Sequence, residues 1–400
     1  MIVGAGQAGL QTAESLRSEG YAGDLLILGD EPRLPYHRPP LSKSYLFGDF
    51  VEAQLTIRAP QVLAKKGIQF KPDVLVSAID RAARKLRLFD GGEIDYAGLC
   101  LATGARPRPL PVPGADLANV FTLRTLADTQ SIAALLPDVR QVAIIGGGFI
   151  GLEFAAVARK LGKEVLVLEA AERLMPRVVT PMLSDFYRQL HADHGAVIEL
   201  GAKVSAIIGE HGNAVAVRTA DGREFPSDLI LIGIGILPNS ELALQAGIEC
   251  EQGILVDACS RTSDPAIVAT GDCTARRLPD GALLRLESVQ NAVEQGKSAA
   301  AALLGKERFF ISSSWFWSDQ YDIKLHMVGL AAGHDQTILR GDPTMNKFSA
   351  FHYQGDKLIA VDSINSPEDH MPARRLLDKG ISPTVDQAAD RRFALGTLIL

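Results

Sequence analysis

Two glycine runs carry the most specific chemistry in these 400 residues, Gly4-Ala5-Gly6-Gln7-Ala8-Gly9 and Gly146-Gly147-Gly148-Phe149-Ile150-Gly151. Both read G-x-G-x-x-G, a pattern that binds the pyrophosphate of a dinucleotide when it joins a strand to a helix. The first glycine permits the tight turn, the second lets the backbone approach the pyrophosphate, and the third lets the helix pack against the strand. The helix N-terminus adds unpaired N–H groups and partial positive charge for the anion. An acid closes each unit: Asp30 lies 21 residues after Gly9, and Glu169 lies 18 after Gly151. That is near the roughly 20 expected of a carboxylate on ribose hydroxyls. Glu169 would repel a 2′-phosphate, which predicts a preference for the unphosphorylated nicotinamide dinucleotide. Among its followers Ala170, Ala171, Glu172 and Arg173, only Arg173 could offset that preference.

Lys43 and Glu153 are charges set inside otherwise apolar or glycine-rich motifs, where a lone charge is costly, and the two are predicted to pair. Such a pair is either catalytic or a structural ion pair. Trp317, in Trp315-Phe316-Trp317, reads by itself as a core aromatic.

The elements that must position these groups are legible as a repeat. Apolar residues 2–3 and 142–145 lead into the glycine turns, helical spacing follows over 10–19 and to Lys160, and apolar runs over 25–28 and 165–168 end at the acids. This is strand, turn, helix, strand, twice. The fold class is therefore α/β with two Rossmann-like dinucleotide-binding domains. Strands are also expected over 204–217 and 224–235, broken at Asp221-Gly222. From about residue 312 the style changes to aromatic strands, including 348–353 and 357–362, with a helix near 374–379 covering one face, which predicts a C-terminal α+β domain.

Composition narrows the function classes. Apolar residues at 47% and charged residues at 22% suit an ordered globular chain, and no apolar run reaches the roughly 18 residues of a membrane span. The formal charge of −6 argues against general nucleic-acid or anionic-membrane binding. Met1-Ile2-Val3 before the first turn leaves no room for a secretion signal, and its shortness reads as a clipped first strand that would weaken cofactor retention. Cys100, Cys250, Cys259 and Cys273 form no C-x-x-C, so no disulfide framework or zinc site is expected and a cytoplasmic location fits. His191-Ala192-Asp193-His194 lacks H-E-x-x-H and a third ligand, so it is assigned to an exposed helix and no metal is expected.

Several further segments, in order, are similar to a known family: Pro35-Tyr36-His37-Arg38-Pro39-Pro40-Leu41-Ser42-Lys43, Leu101-Ala102-Thr103-Gly104-Ala105-Arg106-Pro107, Gly271-Asp272-Cys273, Glu287-Ser288-Val289-Gln290-Asn291-Ala292 and Trp315-Phe316-Trp317-Ser318-Asp319-Gln320. Over essentially its whole length the chain resembles the FAD-dependent NADH:ferredoxin reductases of bacterial cytochrome P450 and Rieske dioxygenase systems. The resemblance implies a glutathione-reductase-like chain with a discontinuous FAD domain (1–107 and 238–312), an NAD domain (108–237) and an interface domain (313–400). FAD would be held by Gly4, Gly6, Gly9, Asp30 at the adenosine ribose, Arg38, Lys43, Val76 on the adenine side, Ala102, Thr103, Gly104, Arg124 at the pyrophosphate, Gly271, Asp272 at the ribitol, and Ser288 with Val289 at the pyrimidine end. NADH would be held by Gly146, Gly148, Ile150, Gly151, Glu169, Ile234 and Gly235.

By the same resemblance Lys43 would lie near flavin N5, Glu153 would face the nicotinamide, and Trp317 would offer the electron exit. The partner would be an acidic [2Fe-2S] ferredoxin on a separate chain, docking at Arg58, Lys297 and His326 and supplying an oxygenase. His326 stands where a relative carries lysine. Related disulfide and single-cysteine reductases need a thiol within Arg38-Pro39-Pro40-Leu41-Ser42-Lys43; there is none, and Ser42 cannot form a sulfenic acid. Cys273 reads as packing. Two alternatives stay open: a reductase for another acceptor such as rubredoxin, and an NADH-sensing flavoprotein switch resembling apoptosis-inducing factor.

Overall fold

The computed structural model describes residues 1–278, 280–310 and 313–399; the expected domain ends at 312 and 400 lie outside them. The chain packs as two compact units. One comprises Met1–His37, Glu52–Arg106 and Leu237–Ser314, the other Arg38–Val51, Pro107–Ile236 and Trp315–Leu400.

In the first unit five short strands, all apolar but the edge strand Gln69–Lys71, form an all-parallel sheet in the order Ile267–Ala269, Leu99–Leu101, Ile2–Val3, Leu26–Leu28, Gln69–Lys71. The central strands read as continuous apolar runs, as a sheet covered on both faces requires. The Gln7–Ser18 helix turns Leu10, Ala13 and Leu16 onto the sheet, where they meet Ile2, Ile27 and Cys100. It also packs on the Val289–Leu303 helix, where Gly296 permits a close approach: a Cβ there would stand 3.0 Å from Gln11 Cβ.

The second unit repeats the plan with the order Val197–Leu200, Glu164–Glu169, Gln141–Ile145, Leu229–Ile232, Val120–Phe121, again all parallel. The expected strands beyond it divide more finely. Residues 204–217 hold a turn at His211-Gly212 between Val204–Glu210 and Asn213–Thr219, with both turn residues at positive φ. The 224–235 run splits at Pro226 into Glu224–Pro226, paired antiparallel, and Leu229–Ile232 in the parallel sheet.

The C-terminal portion is a five-stranded antiparallel sheet in the order Trp315–Gln320, Ile323–Gly329, Lys357–Ile364, Lys347–Gln354, Gln336–Asp342. Alternation gives it two buried faces. Val328, Phe351, Tyr353 and Val361 meet Ala373 and Leu376 of the Pro367–Lys379 helix, while Leu325, Phe348, Ala350 and Ile364 join the core that contains Phe154 and Tyr187. Among the described residues no helix is long and apolar enough to cross a membrane.

Candidate active site

Both glycine turns have the geometry that an anion requires. Gly4 and Gly146 sit at φ +108° and +109°, and a Cβ would stand 2.1 Å from Ala102 O at the first and 2.5 Å from Gly233 O at the second. No other residue fits either turn. The next glycine in the pattern faces open space: a Cβ on Gly6 meets nothing within 4 Å, and one on Gly148 meets only Gly233 O at 3.9 Å. Gly6 and Gly148 are also the N-caps of the Gln7–Ser18 and Phe149–Lys160 helices, and neither helix has a side-chain cap or an acid in its first turn. Their N-terminal N–H groups are left for a ligand. The residues present therefore fit a dinucleotide at each turn.

The first unit contains most of the expected FAD residues and brings Ala102, Thr103 and Gly271 to the first turn. Ala102 backs Gly4, and Thr103 is fixed by Asn239, donating from Oγ1 to its carbonyl at 2.6 Å and accepting from its Nδ2 at 2.9 Å. Gly104 follows at φ +66°. Gly271, beside half-buried Asp272, lies against Ala8 and donates its N–H to Gln295 Oε1 at 2.6 Å. Ser288 Oγ accepts from Asn291 N–H, capping the helix that starts at Val289. Asp30 is exposed after its strand, and Val76 is buried. Cys273 is buried against the Leu101 and Thr270 carbonyls, as a packing residue would be, and burial pushes its thiol up. Gln295 and Asn239 hold this site together, and the sequence reading passes over both.

In the second unit Glu169 ends its strand beside the second turn. Its Oε2 accepts from Gly147 N–H at 2.6 Å and its Oε1 from Ala171 N–H at 2.8 Å. Each oxygen keeps a lone pair for a ribose hydroxyl. Arg173 is engaged elsewhere, donating to Val179 O, Ser184 Oγ and Pro176 O, so it is not placed to offset the carboxylate. Ile150 is exposed on the first turn of its helix, and Ile234 and Gly235 are half-buried.

Lys43 and Glu153 pair, as their settings predict, with Nζ 2.7 Å from Oε2. Glu153 lies on the inner face of the Phe149–Lys160 helix and is 2% exposed, against 16% for the Lys43 side chain. Lys43 Nζ also donates to Pro39 O at 3.2 Å. Two hydroxyls complete the carboxylate: Ser42 Oγ donates to Oε2 at 2.5 Å, and Ser318 Oγ to Oε1 at 2.7 Å. Sequence reasoning missed both as donors, although both stood inside quoted motifs. Nearby, Arg38 Nη1 donates to Arg124 O at 2.7 Å. Lys43, Arg38 and Arg124 thus belong to the second unit, and the other expected FAD residues to the first.

Trp317 is half-buried and packs on Trp315, with ring centroids 5.4 Å apart. Of the expected docking residues, Arg58 pairs with Glu14 at 2.9 Å and Lys297 with Glu294 at 2.7 Å, both in the first unit. His326 belongs to the second unit, and burial holds its pKa below the ordinary value, so it carries no full charge at neutral pH. His191 corrects an expectation: it is fully buried, because its position on the Pro181–Asp193 helix faces inward, whereas His194 is exposed.

This geometry is matched in proteins of known family. Residues 1–296 match the model described as pyridine nucleotide-disulphide oxidoreductase, and 315–399 that described as reductase C-terminal. Rhodocoxin reductase of Rhodococcus erythropolis is 44% identical, over 99% of this chain and 93% of its own length. The crystal structure of the ferredoxin reductase for the CYP199A2 system from Rhodopseudomonas palustris matches with TM-score 0.97 and 43% identity, covering 100% of this chain and 99% of its own. The reductase in the covalent putidaredoxin reductase–putidaredoxin complex matches with TM-score 0.95 and 40% identity, over 100% and 97%. The chain belongs to the pyridine nucleotide-disulphide oxidoreductase family and carries that family's reductase C-terminal domain.

Proposed function

We propose that this protein is a cytoplasmic, NADH-dependent FAD reductase that passes single electrons to a separate [2Fe-2S] ferredoxin, which in turn supplies a cytochrome P450 or similar oxygenase. The observation that carries the reading is the pair of glycine turns, each opening onto an uncapped helix N-terminus. A nicotinamide gives up an electron pair and an iron-sulfur centre accepts one electron; a bound flavin supplies the conversion between them. In this reading residues 1–107 and 238–312 hold FAD, 108–237 hold NADH and 313–400 serve the partner.

The chain's own residues supply orientation and charge. Glu153, gripped by Ser42 and Ser318, holds the Lys43 ammonium as a fixed positive charge that could answer negative charge built by reduction. Glu169 selects NADH. No thiol stands between Arg38 and Lys43, which favours an outward electron path over the thiol relay that the family's name describes. Trp317 with Trp315 serves as that path, and Arg58 and Lys297 would exchange their present carboxylates for those of an acidic ferredoxin.

The test is the visible spectrum of the purified protein during anaerobic titration with NADH and, separately, NADPH. The reading expects a flavin band that NADH bleaches and, in steady-state turnover, a far higher kcat/KM for NADH than for NADPH. Absence of any flavin would remove the first site, and equal kcat/KM for the two nucleotides would remove the role of Glu169.

A further inference from the structure

A chain of buried polar side chains leaves Glu153 on the side away from Lys43. Ser318 Oγ lies 3.2 Å from Gln320 Nε2, Gln320 Oε1 lies 2.8 Å from His191 Nε2, and His191 Nδ1 lies 3.2 Å from Tyr321 OH. Ser318, Gln320 and His191 are each fully buried, and all belong to one unit. The register has a simple origin. Two residues along a strand advance about 6.6 Å and four along a helix about 6.0 Å. Phe316 can therefore meet Phe149, at 4.7 Å between rings, while Ser318 meets Glu153 one step on.

The hydrogens in this chain have only one arrangement. The Glu153 carboxylate, paired with an ammonium, can only accept, so Ser318 gives it its single hydrogen and must itself accept from Gln320. The Gln320 amide then turns its oxygen to His191, which must carry its hydrogen on Nε2 and offer the Nδ1 lone pair to the Tyr321 hydroxyl. Burial pushes His191 down to about 4, with the Gln320 bond acting the other way, so the ring is neutral at pH 7 and has one N–H. Burial likewise raises the Tyr321 phenol, which stays a donor. The Gln320 nitrogen has no lone pair to receive a proton, so the chain orients and does not conduct. Tyr321 closes the far end: it sits at φ +57° in the two-residue turn between Trp315–Gln320 and Ile323–Gly329, with its ring stacked on His194 at 3.7 Å.

We propose that Ser318, Gln320, His191 and Tyr321 are positioning residues for the reductase reaction, a one-way series of donated hydrogen bonds that holds the Glu153 carboxylate and through it sets Lys43. The inference rests on the function proposed above. Its test has two arms. In ¹⁵N-histidine-labelled wild-type protein, the signal lost in His191→Gln should be that of a neutral ring with hydrogen on Nε2; hydrogen on Nδ1 overturns the chain. In anaerobic stopped-flow reduction of the flavin-loaded protein by NADH, Ser318→Ala and His191→Leu should lower the limiting rate about tenfold at unchanged half-saturating NADH. His191→Gln, which keeps a donor for Gln320, should recover most of it. Wild-type limiting rates in both variants overturn the positioning role. Failure of NADH to reduce the wild-type protein would instead overturn the function, while the labelling arm still judges the chain.

Discussion

Two buried ion pairs in the same unit differ in how completely they are closed. Arg340 and Asp369, at 2.8 Å, are 7% and 9% exposed. The remaining Arg340 hydrogens go to the carbonyls of Gln387, Ala388, Asp390, Arg391 and Phe393, while Ser349 donates to the other Asp369 oxygen. That guanidinium ties the last segment of the chain to its sheet and has nothing left to offer a ligand. Among the described residues Lys43 has two acceptors, Glu153 and Pro39 O, for three N–H donors, and its side chain is more open. A charge satisfied on all sides supports structure, whereas a charge gripped from one side with a donor free is poised to act on something else.

The largest expected effect falls on the closed pair. Arg340→Met strands Asp369 in the interior and should remove about 3–5 kcal/mol of stability, read by urea unfolding, while the flavin-reduction rate of the folded protein stays unchanged. Next, Lys43→Met should slow reduction by NADH about 100-fold and cost less stability, because Ser42 and Ser318 still donate to Glu153. An unchanged hydride rate in Lys43→Met, or a slowed one in Arg340→Met, would erase the contrast.

A smaller effect comes from His191, which is neutral in the fold and takes up a proton near pH 6.5 once unfolded. Its contribution is present above about pH 6.5 and lost as pH falls toward 4, amounting to about 2 kcal/mol by pH 5. Urea unfolding at pH 7 and pH 5 should show the drop, to which His370, also held near 4 by burial, adds a similar amount, and His191→Leu should about halve it. Smallest is Glu169→Ala, which should narrow the preference for NADH over NADPH about tenfold in kcat/KM; an unchanged ratio would place the selection elsewhere.

The two dinucleotide turns and the Lys43–Glu153 pair were legible because each breaks a local rule: glycines where a helix begins, charges where apolar residues belong. Ser318, Gln320 and His191 break none. A serine or glutamine in a strand is ordinary, and Ser318 meets Glu153 across 165 residues of sequence, a distance no local pattern spans. The exposed assignment of His191 rested on the lack of a metal-ligand pattern, which says nothing of orientation, whereas the inward face of its helix is set by Leu183, Tyr187 and Leu190. The packing of Arg38–Val51 with the second unit was legible only at Lys43, since the other partners of that segment are remote in sequence.

The most direct measurement of the central claim is the dependence of electron output on a [2Fe-2S] ferredoxin, with cytochrome c as final acceptor and NADH as sole donor. The account predicts rapid cytochrome reduction that requires ferredoxin, weakens with rising salt and slows far more than flavin reduction in Trp317→Ala. Flavin bleached by NADH with no ferredoxin-dependent turnover would contradict it, pointing to another acceptor or to a long-lived reduced-flavin switch.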